Sequence, residues 1–344
     1  MSSSATSWRT CSTASSTRAS STRSDVIATA KPQDTASPIA ARPARTGSSD
    51  EFDEIDKTPV RTYWQLVRQR FLRHRLAVIS LIVLSMLIAY GFIVPWLTGD
   101  LYKTASLQNI WGPPSFPEAP LGYDEIGQNV FVRLAKATQT SLVIGFAAVL
   151  IIVGIGSFVG SIAGYVGGWV DNALMRFVDI VLTLPILFII LMIVGFFGQG
   201  NRAVVIIAIG ITGWTLAARL IRGEFLMLRE MDFVAAAKAL GAGHRRIIGR
   251  HMLPPAMSPL IVAAAIGVAD AVVVEAALSF LGFGISRPEA SLGNMLTNAQ
   301  DYFIRAPLMV VWPGLILILM VLSASFLGDG LRDALDPRQK IDAS

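Results

Sequence analysis

The chain has 344 residues, 53% of them hydrophobic and only 15% charged, with a mean hydropathy of +0.56. A soluble domain carries about a quarter charged residues, so a cytosolic enzyme, an intrinsically disordered chain and a secreted disulfide scaffold are excluded. The net charge of +5 falls on a chain whose apolar residues collect in long uncharged runs, where basic residues encode orientation rather than nucleic-acid binding. Cys11 is the single cysteine and can form neither an internal disulfide nor a cysteine metal cluster.

Residues 1–58 are dominated by Ser, Thr, Ala and Pro and hold no apolar run, so a disordered cytoplasmic tail is expected. Residues 59–98 combine a basic amphipathic stretch, with Arg68, Arg70, Arg73 and Arg75, and a first uncharged run at 76–97. About 20 apolar residues cross a bilayer, so this run is long enough to span. Residues 99–137, with Gly112-Pro113-Pro114 and Pro117, are too polar for lipid and are read as an extracytoplasmic loop. Residues 138–330 carry five further runs, at 138–170, 174–201, 203–218, 257–285 and 306–328. The expected fold is therefore an all-α membrane protein with six transmembrane helices. Lys and Arg cluster at 61–75, 222–250 and 332–340, which puts these segments and both termini on the cytoplasmic side. The loop 222–256 is then cytoplasmic, and 331–344 is a cytoplasmic tail.

Three features of the spans bear on packing and chemistry. Gly156, Gly160 and Gly164 are four apart, so they share one helical face and admit close approach of another helix, from the same chain or a second subunit. Pro185 and Pro313 fall inside the third and sixth runs, where each removes a helical hydrogen bond and can kink the helix. Asp179, Asp270 and Glu275 lie in or beside spans, and Arg176 with them; such groups face a pathway, an ion relay or a partner within the bundle. Asp270 and Glu275 are separated by about 140° around a helix and do not share a face.

Catalytic motifs fail one by one. Neither HExxH nor GxSxG occurs, and no Gly-Lys dipeptide exists to build a phosphate-binding loop. His244 and His251 could share a helical face, but their basic surroundings favour solvated or headgroup-facing roles over metal. No catalytic residue, metal or cofactor is expected in this chain.

The loop 222–256 is the richest segment. Asp232 can N-cap a short helix over 232–240 whose alanines favour helix, and Gly241 suits its C-terminal cap. Phe233, Ala236, Ala237 and Leu240 form an apolar stripe on a helix too short to span. Such a helix either docks into a partner's groove or lies on the lipid interface.

This segment resembles the EAA loop of bacterial ABC-importer permeases, in which alanines, a glycine and a Leu-Pro pair recur at fixed spacing. Ala236, Ala237, Gly241, Leu253 and Pro254 match it, while Ala235 replaces the glutamate and His251 the isoleucine. Three further segments resemble the C-type permease of the dipeptide/oligopeptide family: Pro120-Leu-Gly-Tyr-Asp124-Glu-Ile-Gly127, Leu278-Ser-Phe-Leu-Gly282-Phe-Gly284 and Gly328-Asp-Gly-Leu-Arg-Asp-Ala-Leu-Asp-Pro-Arg338. The first departs from the family at Tyr123, normally threonine, and Gln128, normally arginine. The resemblance spans residues 62–340 and implies a type I importer bundle in the inner membrane, one N-terminal helix followed by a five-helix core. It also implies a second permease subunit, two ATPase subunits that bind ATP and Mg, and an extracytoplasmic binding protein. Peptides are the substrates it suggests, with nickel, opines or sugars as the alternatives within the family. The rival class is an ATP-independent transporter or channel built on Asp179, Asp270 and Glu275.

Overall fold

A computed structural model describes residues 63–297 and 299–335. The tail expected at 1–58 and residues 336–344 lie outside this range. Every regular element among the described residues is helical.

Helix α1 (Tyr63–Arg73) is the basic amphipathic stretch, and His74 separates it from α2 (Arg75–Thr98). His74 caps α2 with its ring, Nδ1 accepting the Ala77 N–H at 3.1 Å. The polar connection contains two short 3₁₀ turns, Gly99–Lys103 and Leu107–Asn109. Helix α3 (Val130–Val166) starts at 130 rather than at the uncharged boundary near 138, because Asn129 caps it by accepting the Phe131 and Val132 N–H groups. Arg133 and Lys136 thereby become helical residues rather than loop residues.

The third run departs most from expectation. It forms two helices, α4 (Gly168–Thr183) and α5 (Ile186–Phe197), which meet at an angle of 83°. Pro185 has no N–H and biases Leu184 out of the helical region; Leu184 is extended, at φ −83° and ψ 138°. A kinked span was expected, and a broken one is found. Helix α6 (Arg202–Arg229) outruns its uncharged stretch, and α7 (Asp232–Ala239) follows. Helix α8 (His244–Phe280) contains a π-helical turn at Ile247–Met252, just before Pro254 and Pro255. Two short helices, α9 (Leu292–Met295) and α10 (Ala299–Arg305), lead into α11 (Leu308–Leu335), with Pro313 inside it. Among the described residues, five helices are long and apolar enough to cross a membrane, or six spans if the α4–α5 pair counts as one.

Glycines set the helix seams. A Cβ on Gly156 would lie 2.5 Å from the Ala217 Cβ, one on Gly164 2.6 Å from the Phe225 Cβ, and one on Gly160 would strike the Ala218 carbonyl. The Gly156, Gly160 and Gly164 face is thus filled by α6 of the same chain. Gly145 receives Val272 of α8, and Gly328 of α11 receives Ile266 of α8. Leu142, Ile144, Ala148, Val205, Val272, Leu278 and Met320 form the buried centre between these seams.

Gly160→Ala is expected to cost about 1–3 kcal/mol through overpacking. At Gly154 an added methyl meets nothing within 4 Å, so Gly154→Ala is expected to be neutral or stabilising by up to about 1 kcal/mol. Thermal unfolding of the two variants in detergent checks this; equal Tm shifts would show that close approach does not hold the α3–α6 seam.

Candidate functional site

The segment between α6 and α8 presents one face to the bundle and one away from it. Met231, not Asp232, occupies the N-cap position, and no side chain caps there. Asp232 is the first helical residue, where its charge complements the positive end of the helix dipole. At the other end the Gly241 N–H donates to the Lys238 carbonyl and the Ala242 N–H to the Ala237 carbonyl, both at 3.0 Å. This pairing is a Schellman cap, and it requires the positive φ of +77° that Gly241 adopts.

The expected stripe divides. Ala237 (8% exposed) and Val234 (0%) point inward onto Phe225, Ile247 and Met252, while Phe233 (41%), Ala236 and Leu240 (88%) point outward. Spacing alone allowed either face of this short helix; Val234, three residues before Ala237, marks the buried one. The loop is also tied to α3. Tyr165 Oη and His244 Nδ1 share a 2.7 Å hydrogen bond, and the Lys238 ammonium lies 6.0 Å from the Tyr165 ring centroid. His244 is therefore partnered by protein rather than simply solvated. Leu253 and Pro254 open the α-helical part of α8 after the π turn.

The ionisable residues of the spans occupy separate environments. Arg219 Nη2 donates to Asp179 Oδ1 at 2.5 Å. Arg222 grips Asp171 with two nitrogens, Nη2 to Oδ2 at 2.7 Å and Nε to Oδ1. These pairs clamp α4 to α6. Asp270 sits on an exposed face of α8.

Glu275 is completely buried. Its Oε2 accepts from Ser141 Oγ and its Oε1 from Ser279 Oγ, each at 2.7 Å. The serine oxygens in turn accept backbone N–H groups, Ser279 from Ile285 at 3.0 Å and Ser141 from Leu292 at 3.3 Å. Glu275 thus holds two serines that pin residues 285 and 292 against α3 and α8. The Leu278–Gly284 motif supplies the turn: Gly282, at φ +84°, lets the chain reverse after α8, with the Phe283 N–H on the Leu278 carbonyl at 2.9 Å.

A second polar cluster lies where the 99–129 connection meets residues 285–309. Asp124 Oδ1 accepts the N–H groups of Ile126 (3.1 Å) and Gln128 (2.7 Å), closing the turn of the Pro120–Gly127 motif. Arg287 Nη2 pairs with Glu125 Oε1 at 2.6 Å, and the Tyr302 hydroxyl donates to the other oxygen of Glu125. Arg202 and Tyr102 both reach Glu289, at 3.0 and 3.1 Å. Arg133, which falls within the segment 99–137 read from the sequence as a loop, is 2% exposed. The signal for its burial is its place in the first turn of α3, which the uncharged-run boundary hid.

Residues 156–341 match the family of binding-protein-dependent transport system inner membrane components, and residues 62–114 match the N-terminal transmembrane domain of oligopeptide transport permease C. The OppC oligopeptide permease of Haemophilus influenzae is 36% identical over 293 residues, covering 85% of this chain and 94% of that protein. The chain belongs to this permease family. The dipeptide permease DppC of Alkalihalophilus pseudofirmus is 35% identical, covering 87% of this chain and 98% of its own length. The glutathione permease GsiD of Pectobacterium atrosepticum is 34% identical, over 84% and 94%. A solved chain of the MetNI methionine ABC transporter, inward facing, aligns with 59% of this chain and 96% of its own at 20% identity and a TM-score of 0.48.

The protein is thus a multi-pass permease of the inner membrane and a non-catalytic subunit of its transporter. Part of the permease's C-terminal motif has an internal role. Gly328 packs on Ile266, Gly330 packs on Ala77, and the His74 Nε2 lies 3.5 Å from Asp333 Oδ2. The motif joins α11 to α8 and to the start of α2.

Glu275→Ala is expected to orphan the Ser141 and Ser279 hydroxyls and lower stability by about 3 kcal/mol. Glu275→Gln should fall between, because its amide nitrogen faces a hydroxyl that already donates. Hydrogen exchange at the Ile285 and Leu292 amides reads the effect directly; unchanged protection there in both variants would refute the network.

Proposed function

We propose that this permease pairs with a second permease subunit to form the inward path for dipeptides and oligopeptides. Two ATP-binding subunits, holding ATP and Mg, drive it from the cytoplasmic side, where both termini lie, and an extracytoplasmic binding protein delivers substrate. The observation that carries the substrate class is similarity along nearly the whole described chain to permeases named for oligopeptide, dipeptide and glutathione transport. The scattered placement of Asp179, Asp270 and Glu275 favours this reading over an ATP-independent transporter, which would need an ionisable path. Asp179 is spent on Arg219 and Glu275 on serines.

In this reading α7 is the coupling helix. Its outward Phe233, Ala236 and Leu240 enter a groove on an ATPase subunit, and its inward Val234 and Ala237 pass the motion to the bundle. Leu240 is 88% exposed, so Leu240→Asp should leave folding intact yet uncouple ATP hydrolysis from transport in the reconstituted complex. Gly241→Val places a β-branched residue at φ +77°, costs roughly 1 kcal/mol or more, and misaims the same helix. Normal transport by both variants would remove α7 from the coupling role.

Substrate class is tested by uptake of labelled dipeptides and longer peptides in a deletion strain, with and without the restored gene, beside nickel and sugar uptake. Restored peptide uptake is expected. Unchanged peptide uptake with a lost nickel or sugar flux would move this permease to another branch of its family.

A further inference from the structure

The cluster around Arg133 holds hydrogen-bond donors that the described residues do not satisfy. Arg133 is 2% exposed, and neither of its terminal nitrogens, Nη1 or Nη2, has a hydrogen-bond partner among the described residues. Its nearest carboxylate oxygen, Asp124 Oδ2, is 3.5 Å from Nη1, well beyond the range of about 2.7–2.9 Å for a charge-assisted hydrogen bond. Of the four oxygens of Asp124 and Glu125, three are engaged elsewhere, and Asp124 Oδ2 pairs with Arg133 by charge alone. Asp124 Oδ1 holds two backbone amides, and Glu125 is shared by Arg287 and Tyr302. A buried guanidinium without acceptors is costly.

Arg133 lies beside a small open cleft lined by Trp111, Arg287, Met295, Tyr302 and Met309 among others. Trp111 and Tyr302 form an edge-to-face wall, ring centroids 5.5 Å apart. Two guanidinium groups therefore meet in a partly apolar cleft where both Glu125 oxygens and Asp124 Oδ1 are used. Asp124 Oδ2 stands 3.5 Å from Arg133, leaving Arg133 Nη2 with no acceptor among the described residues.

We propose that this cleft is a receiving site for a carboxylate presented from outside the chain, gripped by the guanidinium fork of Arg133 with Arg287 beside it. The chemistry selects the ligand. A planar monoanion matches the two parallel N–H groups of a guanidinium, whereas a phosphate dianion would meet twice the repulsion from Asp124 and Glu125. The cleft lies at the end of the bundle formed by the 99–129 connection and residues 285–309, the end read as extracytoplasmic, where a delivered substrate arrives. Given the peptide reading above, on which this part rests, peptides of varied sequence share few groups, and a free C-terminal carboxylate is one of them. An acidic side chain of the binding protein carries the same group.

The test uses the full transporter reconstituted in proteoliposomes with its binding protein. Transport of trialanine is compared with that of its C-terminal amide, after dividing out the binding protein's own affinity for each, for wild type, Arg133→Gln, Arg133→Lys and Arg287→Gln. Docking of the binding protein on the same vesicles is measured in parallel. If the peptide supplies the carboxylate, the wild-type complex prefers the acid by about tenfold or more, Arg133→Gln and Arg287→Gln reduce the ratio toward one, and Arg133→Lys restores it only in part. If the binding protein supplies it, the ratio is flat, and docking weakens about tenfold in both glutamine variants. A wild-type ratio of one, with docking unchanged in the half-exposed Arg287→Gln variant even if Arg133→Gln does not assemble, overturns the site and leaves its donors to water. A wild-type complex that moves nickel or a sugar but no peptide would instead reject the peptide reading, and the docking measurement alone would then decide the site.

Discussion

Helices in lipid gain nothing by hiding apolar side chains from one another, since the surrounding acyl chains are equally apolar. What holds this bundle is close backbone approach, and the α3–α6 seam at Gly156, Gly160 and Gly164 fixes it. Because α6 lies so near α3, its Arg219 and Arg222 reach the carboxylates of α4, the helix that follows α3 after the Gly167 turn. The same seam aims the end of α6, so that Phe225 and Leu228 meet Val234, Ala237, Ile247 and Met252. Placement of α7 thus follows in part from three glycines about 70–85 residues earlier in the chain.

The polar groups obey a second constraint. A carboxylate inside a membrane protein persists only when its lone pairs are used, and Glu275 meets this with hydroxyls rather than with a cation. Each serine it holds is itself held by a backbone amide, so the group at the centre is an acceptor and those around it are donors. Arg133 is the opposite case: a buried donor group whose Nη1 and Nη2 make no hydrogen bond to the described residues and whose ion pair with Asp124 is long, at 3.5 Å. One buried polar group is closed within the chain, and the other is open to the proposed ligand.

Much of this was legible in the sequence, for identifiable reasons. Span positions followed from bilayer thickness, the glycine face from the period of four, and the cap at Gly241 from the chemistry of helix ends. The start of α3 was hidden because charged residues in a first helical turn look like loop. Pro185 announced a bend but not its size, which depends on Leu184 leaving the helical region and on two short helices each finding its own packing. The inward face of α7 was also hidden: a helix of eight residues with apolar side chains on several sides does not reveal which of them meets protein. Arg133 was missed because burial of an arginine is decided by what folds over it, here residues distant in the chain, from Trp111 to Met309.

Transmission between the two ends of the permease has a physical route in α8. This helix runs for 37 residues from His244, hydrogen-bonded to Tyr165 beside the coupling segment, to Phe280. At 1.5 Å per residue it is about 55 Å long, well over the roughly 30 Å hydrocarbon core. Its π-helical turn at Ile247–Met252 lies where α7 packs, and Glu275 stands near the opposite end. A π turn carries one residue more than the α-helical period, so a change of register there rotates or shifts everything beyond it. Glu275 then delivers that shift to residues 285 and 292 through two serines, and residue 287 of the same segment carries the arginine that borders the cleft of Arg133. In the coupling role proposed for α7, one continuous helix and one buried glutamate stand between a displacement there and the donors at the other end.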